Sequence, residues 1–115
     1  MIKITLLGNP QSTNHLYRRH GYIIYMSKEG KSLKEGYQFQ AQTQYKEKPL
    51  SGDLQVSIGL YFNRKGKHDI DNFGKILLDS LTGIIWEDDN QIVTEKVSKF
   101  YDKKLPRIEI EVEKI

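Results

Sequence analysis

Alternation between apolar and polar positions predicts the clearest strand of the chain. Between Leu54 and Phe62 every second residue is large and apolar, and its neighbours are mostly small or polar. Because successive side chains of a strand point to opposite faces, this pattern predicts a β-strand with one buried face. Four further β-prone runs are predicted as strands, at residues 2–7, 22–26, 92–101 and 107–112.

Apolar residues spaced four apart predict two helices. The first set predicts a helix over residues 32–45 and consists of Leu33, Tyr37, Ala41 and Tyr45. The second set predicts a helix over residues 71–81 and consists of Phe73, Leu77 and Leu81. Asp71 is predicted as the N-cap of this second helix, because a short acidic side chain favours that position.

The predicted order of elements is β, β, α, β, α, β, β, with a polar loop over residues 8–20. This order is typical of an α+β fold with one mixed or antiparallel sheet. A chain of 115 residues has the length of one domain, and no internal repeat or linker divides it. We therefore expect residues 1–115 to form a single small α+β domain with two helices.

Composition excludes several chemistries. The chain has no cysteine, which excludes disulfides, thiolate zinc sites, iron–sulfur clusters and thiol nucleophiles. No window reaches the roughly 18 apolar residues of a membrane span, and the first residues do not resemble a signal peptide. We therefore expect no membrane partner and a cytoplasmic location.

Charge is distributed unevenly along the chain. The net charge of +3 divides into +4 over residues 1–53, −2 over residues 54–91 and +1 over residues 92–115. An acidic centre between basic flanks has no evident use in a protein that only binds nucleic acid. It suits an enzyme that holds metal ions against phosphate groups.

The acidic centre contains four aspartates in two pairs. Asp69 and Asp71 lie at the start of the second predicted helix, and Asp88 and Asp89 lie in a predicted turn before a strand. The chain can return so that the pairs approach each other, and converging carboxylates are stable only with bound protons or cations. Such hard oxygen ligands suit Mg²⁺, with Mn²⁺ as a substitute. A site of this kind can activate water against a phosphodiester, with Lys75 neutralising charge that develops on the phosphate.

Basic residues lie beside these acids and in the N-terminal part of the chain. The residues expected to contact DNA phosphates are Arg18, Arg19, Arg64, Lys65, Lys67 and His68. The last four immediately precede Asp69, so we expect them to hold the phosphates that flank the reacting one.

Each of these signals also has a plainer explanation. An Asp-x-Asp before a helix is most often a cap with a solvated acid, an Asp-Asp-Asn run is most often a turn, and a basic run is most often a solvated loop. Their occurrence together within residues 63–91 favours metal-dependent phosphodiester hydrolysis. The Gly-Ser turn that precedes Asp-x-Asp in nucleotidyltransferases is absent, as are EF-hand, P-loop and zinc-protease motifs.

The complete pattern resembles the RusA family of Holliday junction resolvases. The central part of the resemblance is Asp69-x-Asp71-Asn72-x-x-Lys75-x-x-x-Asp79-x-Leu81, followed by Trp86-x-Asp88-Asp89-x-Gln91. The N-terminal part is Pro10-x-Ser12-x-Asn14-x-x-Tyr17 and Ser27-x-Glu29-Gly30. The resemblance extends over nearly the whole chain. Asn72, Asp79 and Gln91 match motif positions with supporting or structural roles, and for Asp79 we expect a structural role.

This resemblance implies a small homodimeric endonuclease, often encoded by phages or prophages, that resolves four-way DNA junctions by paired symmetric nicks with Mg²⁺. By position, Asp69, Asp71 and Asp89 match the family's catalytic metal-binding acids, Lys75 its catalytic lysine and Asp88 the neighbouring acid. The implied role is in DNA recombination and repair. Two alternatives remain open: a nuclease for other branched DNA such as forks and flaps, and a non-catalytic junction-binding module.

Overall fold

A four-stranded mixed sheet forms the centre of the computed structural model, which describes residues 1–115. The strands of the chain are β1 (Ile2–Leu7), β2 (Tyr17–His20), β3 (Ile23–Met26), β4 (Leu54–Phe62), β5 (Ile92–Tyr101) and β6 (Arg107–Lys114). The helices are α1 (Thr13–Leu16), α2 (Lys28–Gln44) and α3 (Lys75–Leu81). Two 3₁₀ turns, Ile70–Asn72 and Asp89–Gln91, precede α3 and β5. None of the helices has the length and apolar character needed to cross a membrane.

The strand order of the sheet is β1-β6-β4-β5. β6 pairs antiparallel with both β1 and β4, whereas β5 pairs parallel with β4. Because two parallel strands cannot be joined by a tight turn, the chain leaves β4, passes through α3 and returns to β5. This crossover carries both aspartate pairs. The prediction of a small α+β domain with a mixed sheet is confirmed.

One face of the sheet forms the core. The apolar residues predicted to share a face of β4 are all buried: Leu54, Val56, Ile58, Leu60 and Phe62. β6 adds Ile108, Ile110 and Val112 to the same core. Helices α2 and α3 cover this face with Tyr37, Ala41, Ile76, Leu77 and Leu81. Since the sheet and both helices share one hydrophobic cluster, they form one folding unit.

Helix α2 begins four residues before the helix predicted over residues 32–45. Ser27 is its N-cap, and the Ser27 Oγ accepts a hydrogen bond from the backbone N–H of Gly30 at 3.1 Å. A Cβ atom at Gly30 would lie 2.4 Å from the carbonyl oxygen of Leu16, so α1 packs directly against the backbone of α2. The Ser27 cap and the close approach of the Leu16 backbone to Gly30 thus fix the first turn of α2. Neither feature produces a periodic apolar pattern, so the sequence does not predict this turn as helical.

The predicted loop over residues 8–20 is wrong in its second half. Residues 13–16 form α1, and β2 pairs antiparallel with β3 in a hairpin separate from the main sheet. Gly21, with φ of +61°, begins the two-residue turn between them, where glycine favours the positive φ. The hairpin is exposed on both faces from Arg18 to Tyr25, so no buried stripe marks its first strand in the sequence.

The predicted helix over residues 71–81 is interrupted. Residues 70–72 form a 3₁₀ turn, and α3 itself begins only at Lys75, after Gly74. The N-cap of the turn is Asp69, not Asp71, because the Asp69 Oδ1 accepts the hydrogen bond of the Asp71 backbone N–H at 3.1 Å. This correction leaves the carboxylate of Asp71 without the capping role that the sequence predicts for it.

Candidate active site

Aromatic packing fixes the segment that carries the first aspartate pair. The ring of His68 stacks on the ring of Phe62 at the end of β4, with 3.8 Å between centroids and 1° between planes. Phe73 meets both rings edge-on. The Nζ of Lys99 donates a hydrogen bond of 2.9 Å to the His68 carbonyl oxygen. The chain is therefore anchored on both sides of Asp69.

Asp69 and Asp71 are exposed and have no cationic partner. Asp71 lies in a recess together with Lys75 of α3 and Glu95 of β5. Glu95 was not singled out by its sequence, since an exposed acid within a strand carries no distinguishing spacing. The recess therefore holds two carboxylates and one ammonium group from three different elements.

A hydrogen-bond network fixes the second aspartate pair. Asp88 is the N-cap of the 3₁₀ turn before β5, and its Oδ1 accepts from the Asn90 N–H at 3.0 Å. The Oε1 of Gln91 accepts from the Asp88 N–H at 2.8 Å, and the Gln91 Nε2 donates to the carbonyl oxygens of Leu50 and Gly52 at 2.9 and 2.8 Å. Gln91 thus joins this turn to the chain that enters β4.

The structure does not bring the two aspartate pairs into one metal-binding group. No three acidic or histidine side chains lie together in an arrangement that could hold a metal ion. The reason is the path of β5: Asp88 and Asp89 precede Ile92 at its beginning, whereas Asp71 lies beside Glu95. Glu95 is three positions after Ile92, which is about 10 Å at the rise of a strand. The convergence expected from the sequence is therefore not formed here.

The chemistry of the four aspartates fits a hard divalent cation. All four are exposed and free of ion pairs, and carboxylate oxygens are the ligands that Mg²⁺ and Mn²⁺ prefer. In Asp69 and Asp88, one carboxylate oxygen accepts a hydrogen bond from a backbone N–H, and the other oxygen has no such bond. The chain therefore offers suitable ligands in two separate pairs rather than as one assembled centre.

Lys75 is the best-defined polar side chain of the site. Its Nζ lies 3.5 Å from the Oδ2 of Asp79, one helical turn later, and 4.8 Å from the centre of the Tyr17 ring. The hydroxyl of Tyr17 donates a hydrogen bond to the same Asp79 Oδ2. Burial raises the pKa of Tyr17, and the hydrogen bond to the Asp79 carboxylate raises it further. Asp71 and Asp79 both lie four residues from Lys75, and the ion pair is formed with Asp79.

Five of the six residues expected to contact DNA are exposed and have no acidic partner: Arg18, Arg19, Arg64, Lys65 and Lys67. His68 differs, because its ring packs between aromatic side chains. A second recess brings Arg18 and Arg19 of the hairpin together with Lys75. Lys75 therefore separates an acidic recess from a basic one.

Comparison with known proteins identifies a family for this chain. Residues 8–113 match the family model described as "Endodeoxyribonuclease RusA". A stretch of 49 residues is 43% identical to the "Uncharacterized protein YqaN" of Bacillus subtilis (strain 168). That stretch is 43% of this chain and 34% of the Bacillus protein, so the match spans about a third of its relative.

The extent of the family match defines the class of protein, an endodeoxyribonuclease. The chain belongs to the RusA family, which confirms the resemblance drawn from its motifs. Because the match extends from just after β1 to the end of β6, it includes the hairpin, the crossover and all four aspartates.

Proposed function

We propose that the protein is a divalent-metal-dependent endonuclease that resolves four-way DNA junctions by paired symmetric nicks. The observation that supports this most is Asp71, an exposed carboxylate without an ion pair that shares a recess with Lys75 in a RusA-family chain. Asp69, which is also exposed and free of ion pairs, lies two residues before it.

In this proposal Asp69, Asp71, Asp88 and Asp89 are the residues that would hold the metal, which requires the two pairs to come closer together than they lie here. Mg²⁺, or Mn²⁺ in its place, would supply charge that polarises the phosphodiester and lowers the pKa of water. Lys75 supplies a further positive charge for the phosphate oxygens as their charge increases in the transition state. Among these five residues, Asp69, Asp71, Lys75 and Asp89 are proposed as catalytic.

DNA binding is assigned to the basic residues on either side of the acidic recess. Arg18 and Arg19 on the hairpin and Arg64, Lys65 and Lys67 in the loop after β4 are free to meet phosphates, since no acid neutralises them. A four-way junction has two-fold symmetry, and one chain carries one set of these groups. Cutting two opposed strands therefore calls for a homodimer related by a two-fold axis.

A panel of DNA substrates tests this function. The chain is incubated with a mobile four-way junction, a fork, a flap and a linear duplex of matched sequence, each with Mg²⁺ and with EDTA. Junction cleavage that exceeds cleavage of every other substrate and stops in EDTA is the expected result. Preferential cleavage of forks or flaps would replace junction resolution with a role on other branched DNA.

A further inference from the structure

Tyr17, Asp79 and Lys75 form a closed set of contacts between the hairpin and α3. The Lys75 ammonium group contacts the Asp79 carboxylate and lies over the Tyr17 ring, at 3.5 and 4.8 Å, and the Tyr17 hydroxyl donates to that same carboxylate. Tyr17 and Asp79 are 62 residues apart in the chain, so their contact depends on the tertiary fold. Each member of the set touches the other two.

Folding stability does not account for the ion pair of Lys75 with Asp79. The side chains of Lys75 and Asp79 are 53% and 29% exposed, and ion pairs of that exposure add little to stability. Tyr17 is half-buried and its pKa is raised, so its hydroxyl keeps its proton and remains a donor to Asp79. The set instead restrains one side chain, the long and flexible lysine, from two directions.

The restrained ammonium group lies where two recesses meet. Lys75 lines the acidic recess with Asp71 and Glu95, and it also lines the basic recess with Arg18 and Arg19. A phosphate that bridges the basic and the acidic recess would lie against this group. A fixed positive charge at that point is more effective than a mobile one, since no reorganisation is needed during the reaction.

We propose that Tyr17 and Asp79 are positioning residues that hold the Lys75 ammonium group at the boundary between the two recesses. This inference rests on the proposed nuclease function. It assigns Asp79 a role in the reaction, acting through Lys75, in place of the purely structural role expected from the sequence. It also gives Tyr17, at the first position of β2, a function that joins the hairpin to the reacting group.

A double-mutant cycle tests the proposal. Asp79→Asn and Tyr17→Phe are each made in the native chain and in the Lys75→Ala variant, and junction cleavage is measured with enzyme in excess. We expect Asp79→Asn to reduce the cleavage rate about tenfold or more, as loss of a supporting partner commonly does. Tyr17→Phe keeps the ring under the ammonium group and should cost less. In the Lys75→Ala background neither change should reduce the rate further.

The control is Arg64→Ala, which should weaken junction binding by the same factor in both backgrounds, because it acts independently of Lys75. Binding in EDTA and the melting temperature should be unchanged in Asp79→Asn. A native cleavage rate in Asp79→Asn, or an equal loss with and without Lys75, would overturn the proposal.

A measurement that does not depend on cleavage separates this proposal from the proposed function. Carbon-13 relaxation of the Lys75 ε-methylene group reports how restricted the side chain is. We expect its order parameter to fall in Asp79→Asn and, less, in Tyr17→Phe. An inactive native chain with an ordered Lys75 would reject the nuclease and keep the restraint, whereas an already mobile Lys75 would reject the restraint itself.

Discussion

Asp71 is, in the proposed function, a side chain that the reaction needs and the fold does not. Its carboxylate is exposed, takes no part in an ion pair and is not the cap of the turn that contains it. We expect Asp71→Asn to abolish junction cleavage while changing the free energy of unfolding by less than about 0.5 kcal/mol. Junction binding should be kept or tightened, because repulsion between the carboxylate and phosphates is removed.

The matched control for this change is Glu35→Gln, which removes one negative charge from the exposed surface of α2. Junction binding is measured by gel-shift titration and junction cleavage by a time course, for both variants. Full cleavage by Asp71→Asn would remove this residue from the site.

Asp102 gives a residue-scale prediction for pH dependence. It lies after β5, and a hydrogen bond from Arg107 of 2.8 Å, followed by those from the backbone N–H groups of Leu105 and Lys104, lowers its pKa. A carboxyl with a lower pKa in the folded state stabilises the fold above its unfolded pKa of about 4, and this contribution is lost as the pH falls further. Asp102→Asn should therefore lower the melting temperature at pH 7, with the two proteins converging below about pH 4. Melting curves that stay equally separated from pH 7 to pH 3 would contradict the account.

At the scale of elements, the first turn of α2 makes the sharpest prediction. A Cβ atom at Gly30 would lie 2.4 Å from the Leu16 carbonyl oxygen and 2.7 Å from the Met26 Cγ, whereas one at Gly36 in the same helix meets nothing within 4 Å. Gly30→Ala should destabilise the protein by about 1–3 kcal/mol through overpacking. Gly36→Ala should stabilise it by about 0.5–1 kcal/mol, because alanine favours helix. Urea denaturation measures both, and stabilisation by both substitutions would refute the close packing of α1 on α2.

The elements that the sequence predicts well are those with one buried face. β4 and the second half of α2 bury a regular stripe, so their periodicity is visible in the sequence. The hairpin of β2 and β3 buries almost nothing, and the break before α3 depends on which aspartate caps the turn. The sequence also placed Asp69 and Asp71 before a helix and Asp88 and Asp89 in a turn before a strand. The distance between the two pairs depends on how β5 lies beside β4, which local sequence patterns do not encode.

The hairpin itself gives a second prediction at the element scale. Arg18 and Arg19 are exposed, and no acid neutralises them. If each contacts one phosphate, the double variant Arg18→Ala, Arg19→Ala should lower the slope of log K against log salt by about 1.8, since each contact contributes about 0.9. Lys46→Ala, an exposed cation in the loop after α2, should leave the slope unchanged. Fluorescence anisotropy titrations at about 50 to 200 mM salt measure this slope. An unchanged slope in the double variant would show that the hairpin does not contact DNA.

At the scale of the whole molecule, the fold places acidic and basic groups on either side of Lys75. The crossover between the parallel strands β4 and β5 carries the acids and Lys75, and the hairpin brings two arginines to the other side of that lysine. One chain holds one such arrangement. Two copies related by a two-fold axis match the symmetry of a four-way junction, which is why paired nicking and a homodimer belong to the same proposal.

The most direct test of the account is to map the nicks on a synthetic mobile four-way junction, with each strand labelled in turn, in Mg²⁺ and in EDTA. We expect nicks at symmetry-related positions in two opposed strands, with ends that a ligase rejoins, and no nicks in EDTA. Tight binding of the junction without any cleavage in Mg²⁺ or Mn²⁺ would contradict it and would leave a junction-binding module in its place.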